Sequence, residues 1–294
     1  MPAAASASPT DADLERLRYA LGREDIELDA PLFAPDSLSW RLHRESALLL
    51  GGGRALLMQV AHPLVAEGVA RFSNFRKDPL ARLWRTLELT LTISFASAAE
   101  AIAAVRTIER AHKRVHGELE QRVGPFPAGI HYDASDPDLM FWVHATLVDS
   151  AIVVYDRFVA PLGRTERRAY YEESKITARV MGIPESHLPP TYAGFQRYLR
   201  TMLRDHTLTV GSAGREVAHA VLYPERPPGL SQLLLPARLL TCDLLPAELR
   251  RQFQLPSVPL VAGAATLLAT ASRALLPWIP QRLRDMPYSR VGNR

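Results

Sequence analysis

Cysteine is the rarest chemistry-bearing residue in this 294-residue chain, and Cys242 supplies its one thiol. A single cysteine excludes an intramolecular disulfide, and it excludes zinc or iron–sulfur sites that need several thiolates. The first residues are small and polar, and they have neither the basic nor the apolar region of a secretory signal peptide. We therefore predict a reducing compartment, the cytoplasm, and we predict that residues 1–13 form a disordered tail.

Runs of one charge and long apolar runs are also missing. The 35 basic residues are interspersed with 31 acidic ones, and the formal net charge is +4. This pattern argues against a dedicated nucleic-acid partner. The longest apolar stretch is interrupted by hydroxyl side chains and by Arg273, which makes it too short for a transmembrane segment. Val258–Leu276 is predicted to be a buried or surface helix, suited at most to peripheral membrane contact.

Signals for β-strands are scarce, because period-2 alternation and Asn-Gly or Asp-Gly turns are nearly absent. Ala, Leu, Arg and Glu dominate, and proline and glycine separate successive helical stretches. The sequence therefore predicts an all-α fold, a single compact helical domain over about residues 14–290. The predicted helices are Asp13–Leu21, Ser39–Leu50, Arg54–Arg71, Pro79–Phe95, Ala98–Arg122, Pro137–Val159, Glu166–Met181, Ala193–Leu203, Ser212–Ala220, Leu230–Cys242, Ala247–Phe253 and Val258–Leu276.

Three consecutive glycines, Gly51–Gly53, precede the third predicted helix. A phosphate-binding loop is disfavoured, because no Gly-Lys-Ser/Thr follows the glycines and no strand precedes them. A flexible start of the helix or a close approach between helices explains them better. Further along, His62 stands before Pro63, and a proline within a helix frees a carbonyl and bends the axis. His62 is then a structural histidine at a kink or part of a cofactor site.

Two arginines and a hydroxyl share one face of the fourth predicted helix. Arg82, Arg85 and Thr86 follow the spacing i, i+3, i+4, which places them side by side. Guanidinium groups bind carboxylates and phosphates through a planar fork of donors. This face is either a site for an anionic group or an ordinary solvated surface.

Histidines stand among apolar residues in several predicted helices. His112 and His116 lie in the apolar stripe of the fifth helix, and His144 and Asp149 are polar residues of the apolar sixth helix. Buried polar groups need partners, and buried histidines on several helices are compatible with a cofactor cavity between them. Glu109 and His112 form one Glu-x-x-His pair without a second, which disfavours di-iron and zinc sites. A single imidazole ligand with arginines nearby suits heme better.

Three segments together resemble a known family. They are GGGRALLMQVAHPLVAEGVARFSNFRKDPLARLWRTLEL, ERAHKRVHG and YDASDPDLMFWVHATLVDSAIVVYDRF. In this order they resemble the catalytic domain of the ER-bound oxygenase MpaB and rubber oxygenase (latex clearing protein) family, over roughly residues 40–250. The resemblance implies an all-α domain with a globin-like helical core that holds a b-type heme. It also implies O₂-dependent cleavage of carbon–carbon double bonds in an isoprenoid or terpenoid chain.

The resemblance assigns roles to individual residues. Arg82, Arg85 and Thr86 match an Arg-x-x-Lys-Thr motif near the heme, with Arg85 in the place of the lysine. They are expected to hold the heme edge and to tune the polarity of the distal side in catalysis. His112 matches the proximal iron ligand, and His116 is the alternative.

Further roles follow from position in the family pattern. Glu67 corresponds to a glutamate proposed as the catalytic base. His144 and Asp149 lie in a family motif and are expected, with His62, around the cofactor. The proximal imidazole normally donates its second N–H to a carboxylate or carbonyl, and Asp149 or a backbone carbonyl is predicted to accept it.

The expected function is that of a heme-dependent oxygenase with a hydrophobic, isoprenoid or terpenoid, substrate. One alternative is a helical heme or lipid/terpenoid binding protein without turnover. The other is a relative that has lost the cofactor, in which His62, His112 and His144 are ordinary core residues.

Overall fold

Most of the polypeptide is helical, which confirms the predicted all-α class. The computed structural model describes residues 8–73, 79–224, 229–256 and 259–286, without the side chains of 79–85, 230 and 259–261. The helices of the first half are α1 (Asp11–Leu21), α2 (Leu38–His43), α3 (Gly52–Val60), α4 (Pro63–Phe72), α5 (Pro79–Phe95) and α6 (Ala98–His112). Those of the second half are α7 (Pro137–Val154), α8 (Arg164–Val180), α9 (Tyr192–Arg204), α10 (Ser212–Leu222), α11 (Leu230–Leu233), α12 (Leu235–Leu244), α13 (Ala247–Gln252), α14 (Pro259–Leu275) and α15 (Gln281–Arg284).

Shorter elements join these helices. One antiparallel hairpin lies between α6 and α7, with β1 (His116–Glu118) paired to β2 (His131–Asp133). A π-helical turn, Tyr155–Val159, extends α7. Short 3₁₀ helices cover Ser46–Gly51, Glu185–His187 and Leu276–Trp278.

The ordered chain begins within the predicted tail. Thr10 caps α1 by accepting a hydrogen bond from the backbone of Asp13, and the helix itself starts at Asp11. Asp13 is buried and pairs with Arg106 on α6, whose guanidinium holds the pKa of this carboxyl well below its usual range. Residues 1–7 lie outside the described part of the chain.

The predicted helix Arg54–Arg71 is wrong as a single element, because it divides into α3 and α4 with an angle of 107° between the two axes. Pro63 is the first residue of α4, where its missing N–H costs nothing. His62 before it is extended (φ −80°, ψ 121°), as expected for a residue that precedes proline. The proline therefore starts a new helix at a sharp corner instead of bending a continuous one.

The predicted helix Ala98–Arg122 is wrong beyond His112. The chain leaves the helix there and forms β1, in which His116 lies opposite Asp133 of β2. Leu119 is still buried, but it packs beside Tyr132 in a small cluster under the hairpin. Its apolar spacing therefore reflects burial by a hairpin, not a continuing helix.

The largest core surrounds α7, which packs against α3, α8 and the 3₁₀ helix Ser46–Gly51. Its fully buried Trp142 lies in this core. A second core joins α1, α2, α5 and α6, where the rings of Trp40 and Phe95 meet edge to face at 4.9 Å. Truncating a buried aromatic side chain of this size to alanine costs about 3–5 kcal/mol.

The triple glycine marks a close approach between helices, as one of the two sequence interpretations holds. A side chain at Gly53 would collide with Thr241 on α12, and one at Gly51 would come within 3.0 Å of Val154 Cγ2. At Gly52, by contrast, nothing lies within 4 Å. Helix α3 therefore needs glycine where α7 and α12 cross its first turn.

Candidate functional site

The α5–α6 hairpin brings the arginine motif and the candidate iron ligand to one end of the fold. Arg82 lies 13 residues before the end of α5, and His112 lies 14 residues after the start of α6. The two helices pack together across a two-residue connection, so both positions are about 20 Å from it. Thr86 is exposed on the following turn of α5. The side chains of Arg82 and Arg85 lie outside the described residues.

His112 is a partly buried imidazole at the last position of α6. Burial lowers its pKa, while the carboxylates of Asp133 and Glu109 oppose that shift. Among the described residues, none forms a hydrogen bond with its ring. His112 is therefore neutral at pH 7 and keeps a lone pair on one ring nitrogen. The predicted acceptor for its second N–H, Asp149 or a backbone carbonyl, is not found among the described residues.

His116, the alternative ligand, lies in a different environment. It is exposed on β1, whereas the next residue, Gly117, turns toward the interior and packs against Tyr132. An exposed imidazole on a strand edge lacks the apolar surroundings of a heme pocket. The geometry favours His112.

His62 is buried at the corner between α3 and α4, with 5% of its surface exposed. Its ring lies 5.1 Å from that of Phe126, and within the described ranges its Nδ1 has no hydrogen-bond partner. Burial lowers the pKa of His62 to about 4, partly offset by the charge of Asp136. The side chain is thus a neutral imidazole with an unused nitrogen in an apolar corner.

His144 lies next to His43, a histidine that no sequence pattern indicated. Burial, together with the neighbouring His43, lowers the pKa of His144 to about 4, and the backbone carbonyl of Ser174 partly opposes the shift. The two residues lie side by side where α2 and α7 pack against α8.

The hydrogen bonds of His43 define its tautomer. Its Nδ1 lies 3.0 Å from Ser94 Oγ, and that hydroxyl donates its own proton to the carbonyl of Thr90. Nδ1 must therefore carry the hydrogen, and Nε2 accepts one from the Tyr170 hydroxyl at 2.9 Å. Burial lowers the pKa of His43 to about 4, in agreement with a neutral ring.

Asp149 is engaged in a buried ion pair. Arg54 Nη2 donates to Asp149 Oδ2 at 2.6 Å, while its Nη1 and Nε donate to Ser150 Oγ and the carbonyl of Leu244. The Arg54 side chain is 5% exposed and that of Asp149 is 22% exposed. The pair ties α7 to α3 and to the end of α12, and Asp149 is not among the charges that affect His112.

Glu67 lies on α4 beside a polar cavity of about 360 Å³. Arg71 Nε donates to Glu67 Oε1 at 2.5 Å, and Arg71 also pairs with Glu120. Further polar residues of the wall are Gln121, Ser212 and Glu216. Ala70, Leu119, Val123 and Ala213 supply the apolar part of the lining.

An apolar stripe of α7 is left partly accessible. Val143, Leu147 and Ala151 share one side of the helix with His144, and Leu147 is 37% exposed. A helix that is apolar all round is normally buried on every side. Neighbouring helices therefore leave this stripe of α7 partly uncovered.

Among the described residues, no group of three or more His, Cys, Asp or Glu side chains is arranged to hold a metal ion. Within the described residues, Pro137–Val159 is the one single helix that is long and apolar enough to cross a membrane. Inside the fold, 56% of its most apolar stretch is buried. The bent pair of Ser46–Val60 and Pro63–Phe72 passes the same test when taken as one segment.

Together these features define an α-helical protein with neutral, buried imidazoles around an apolar central helix. The chain belongs to the family described as ER-bound oxygenase mpaB/B′/rubber oxygenase, catalytic domain, whose model matches residues 40–278.

The similar proteins have no assigned activity. Uncharacterized proteins of Mycobacterium bovis and Mycobacterium tuberculosis are each 27% identical to the chain over 153 residues. The match covers 50% of this chain and 57% of each relative, so the chain spans little more than half the length of these curated proteins. No solved structure matches it.

Proposed function

We propose that this chain is a heme-dependent oxygenase that cleaves a carbon–carbon double bond of a hydrophobic, isoprenoid or terpenoid, substrate. One observation carries the proposal. His112 is a neutral imidazole without a hydrogen bond to the described protein, and it lies at the same end of the α5–α6 hairpin as Arg82, Arg85 and Thr86. Family membership supplies the oxygenase class.

The residues present fit a b-type heme. Such a heme requires one axial base, cations for its two propionates and an apolar surrounding. His112 would supply the base, and Arg82 and Arg85 would supply the cations. Val143 and Leu147 on α7 offer apolar surface for the macrocycle or the substrate. When bound, the heme supplies the activation of O₂.

The chain's own groups prepare this site in two ways. The lowered pKa of His112 keeps a lone pair on its ring at neutral pH, so binding of iron needs no loss of a proton. Glu67 uses Oε1 in its ion pair with Arg71, which leaves Oε2 as the atom for a catalytic base. We assign to Asp149 the structural role of holding α7 against α3. The carboxylate near His112 is that of Asp133 and not that of Asp149.

The test is a visible absorption spectrum of the protein expressed with ample heme, with His112→Ala and His116→Ala as a matched pair. The expected result is a Soret band near one heme per chain in the wild type and in His116→Ala, and its loss in His112→Ala. Circular dichroism shows whether each variant is folded. A folded wild type without a Soret band would refute the heme, and loss only in His116→Ala would refute His112 as the ligand.

The accessible stripe of α7 also suits a second function, binding of heme or an apolar ligand without turnover. The two functions differ in product formation. The heme-loaded protein, incubated with an unsaturated terpenoid and O₂, should yield aldehyde and ketone fragments detectable by mass spectrometry. Bound but intact terpenoid would favour the binding protein.

A further inference from the structure

The C-terminal part of the chain carries an unusual amount of exposed apolar surface. Of the thirteen large hydrophobic side chains that are exposed in the described ranges, eight lie at or after Leu233. Most belong to α14 and the residues that follow it. We call the side chains of Leu267, Leu268, Leu275, Trp278 and Leu283 the α14 surface.

Helix α14 turns two alanines inward and leucines outward. Ala265 and Ala269 are 6% and 4% exposed and face the protein, whereas Leu267 and Leu275 are 73% and 60% exposed. A helix of a water-exposed surface turns its leucines toward the core. Helices that face lipid place small residues against neighbouring helices and large apolar residues outward.

The hydroxyl groups of α14 need no water. Thr266 Oγ1 donates to the carbonyl of Ala262 at 2.8 Å, and Thr270 Oγ1 donates to that of Thr266 at 3.0 Å. Ser272 Oγ donates to the carbonyl of Phe158 at 2.7 Å. Such bonds to helix carbonyls satisfy hydroxyls in an apolar medium, so the helix tolerates transfer out of water.

The charge of this region has one sign. Residues 249–294 contain seven arginines and one aspartate, a formal charge of +6, whereas the whole chain has +4 and residues 1–248 therefore −2. Arg273 and Arg282 are exposed near the end of α14, and Trp278 between them is 85% exposed. Arginine beside tryptophan at the edge of an apolar face is typical of a membrane–water interface.

A second copy of the chain is a poorer partner for the α14 surface than anionic lipid is. A symmetric dimer places the same patch of both subunits in contact. Arg273, which forms no ion pair within the described residues, would then approach the same residue of the other copy. Anionic lipid headgroups supply negative charge instead.

We propose that the α14 surface docks the protein on an anionic lipid bilayer, with α14 parallel to the membrane plane. Leu267, Leu268 and Leu275 enter the boundary between headgroups and acyl chains, Trp278 lies at the same depth, and Arg273 reaches the headgroups. This inference does not depend on heme. It gives the protein direct access to substrates that dissolve in membranes.

The test is flotation of the full chain with vesicles of phosphatidylcholine alone or mixed with phosphatidylglycerol. The wild type should bind the anionic vesicles, and binding should weaken in high salt. Leu267→Glu/Leu275→Glu should reduce the partition coefficient at least about tenfold, because two leucines would no longer enter the apolar phase. The matched control Ala193→Glu/Thr201→Glu adds the same two charges to exposed positions of α9 and should bind like the wild type.

Analytical ultracentrifugation separates the remaining outcomes. Both variants change exposed side chains, and circular dichroism checks that they are folded. A folded wild type that binds neither kind of vesicle overturns the proposal. So does a lipid-free dimer that Leu267→Glu/Leu275→Glu dissociates, since the α14 surface would then be an interface between copies. Equal binding by the two variants would also overturn it.

Discussion

The ion pair between Arg54 and Asp149 gives the sharpest prediction about stability, because the sequence placed Asp149 in a cofactor site. Asp149→Ala leaves the guanidinium of Arg54, 5% exposed, with two neutral acceptors, the Ser150 hydroxyl and the Leu244 carbonyl. Removing one partner of a buried pair costs about 3–5 kcal/mol. The Asp149 carboxylate is 22% exposed, so water replaces it in part and we expect the lower end, about 3 kcal/mol.

Urea unfolding followed by circular dichroism measures this loss. In a chain of this size about 3 kcal/mol lowers the Tm by roughly 6 °C. Glu15→Ala breaks the exposed pair with Arg18 and is the control, with an expected loss below about 1 kcal/mol. Arg54→Met/Asp149→Leu removes both charges and should recover more than half of the stability lost in Asp149→Ala.

The heme content of Asp149→Ala separates a structural role from a cofactor role. Well below its Tm, the variant should keep the Soret absorbance of the wild type. A free energy of unfolding within about 1 kcal/mol of the wild type would refute the argument from burial. Unchanged stability together with loss of the Soret band would show that Asp149 has a role in the cofactor site.

Two further predictions concern packing and pH. Gly53→Ala should lower the free energy of unfolding in urea by about 1–3 kcal/mol, because its methyl group meets Thr241. Gly52→Ala has open space around its methyl group and should be neutral or slightly stabilising. Equal effects of the two substitutions would contradict the close approach of the helices. The free energy of unfolding should fall as the pH drops from about 6.5 to 4, because the pKa of His43 and of His144 is about 4 in the folded protein and the unfolded chain binds the protons first. His43→Gln should reduce this slope, and an unchanged slope would show that other groups cause it.

Local signals predicted the helices well. Helix α5 has the predicted bounds, and α7 starts where Asp136 accepts hydrogen bonds from the first turn ahead of Pro137. These features depend on residues a few positions apart, which is the range that sequence patterns cover. The end of α6 was missed because Val115 and Leu119 continue its apolar spacing, although Gly117 and the positive φ of Gly124 and Gly129 belong to a hairpin. Glycine within the predicted helix was the signal against it.

The site was less predictable, because it depends on contacts between distant segments. His43 lies 51 residues from Ser94 and 127 residues from Tyr170, its two hydrogen-bond partners. No spacing along one helix indicates such a network. The partner of Asp149 was missed for the same reason, since Arg54 is 95 residues away. Both cases follow from how α2, α3, α7 and α8 meet in three dimensions.

The central helix α7 connects stability with the proposed function. Its Asp149 holds it against α3, whereas Val143, His144 and Leu147 on another side retain accessible surface. A buried ion pair fixes the rotation of a helix more sharply than apolar contacts do, because a slip would leave both charges unpaired. That rotation decides which side of an all-apolar helix stays open. The ion pair therefore explains how a helix without a polar face leaves one defined stripe uncovered.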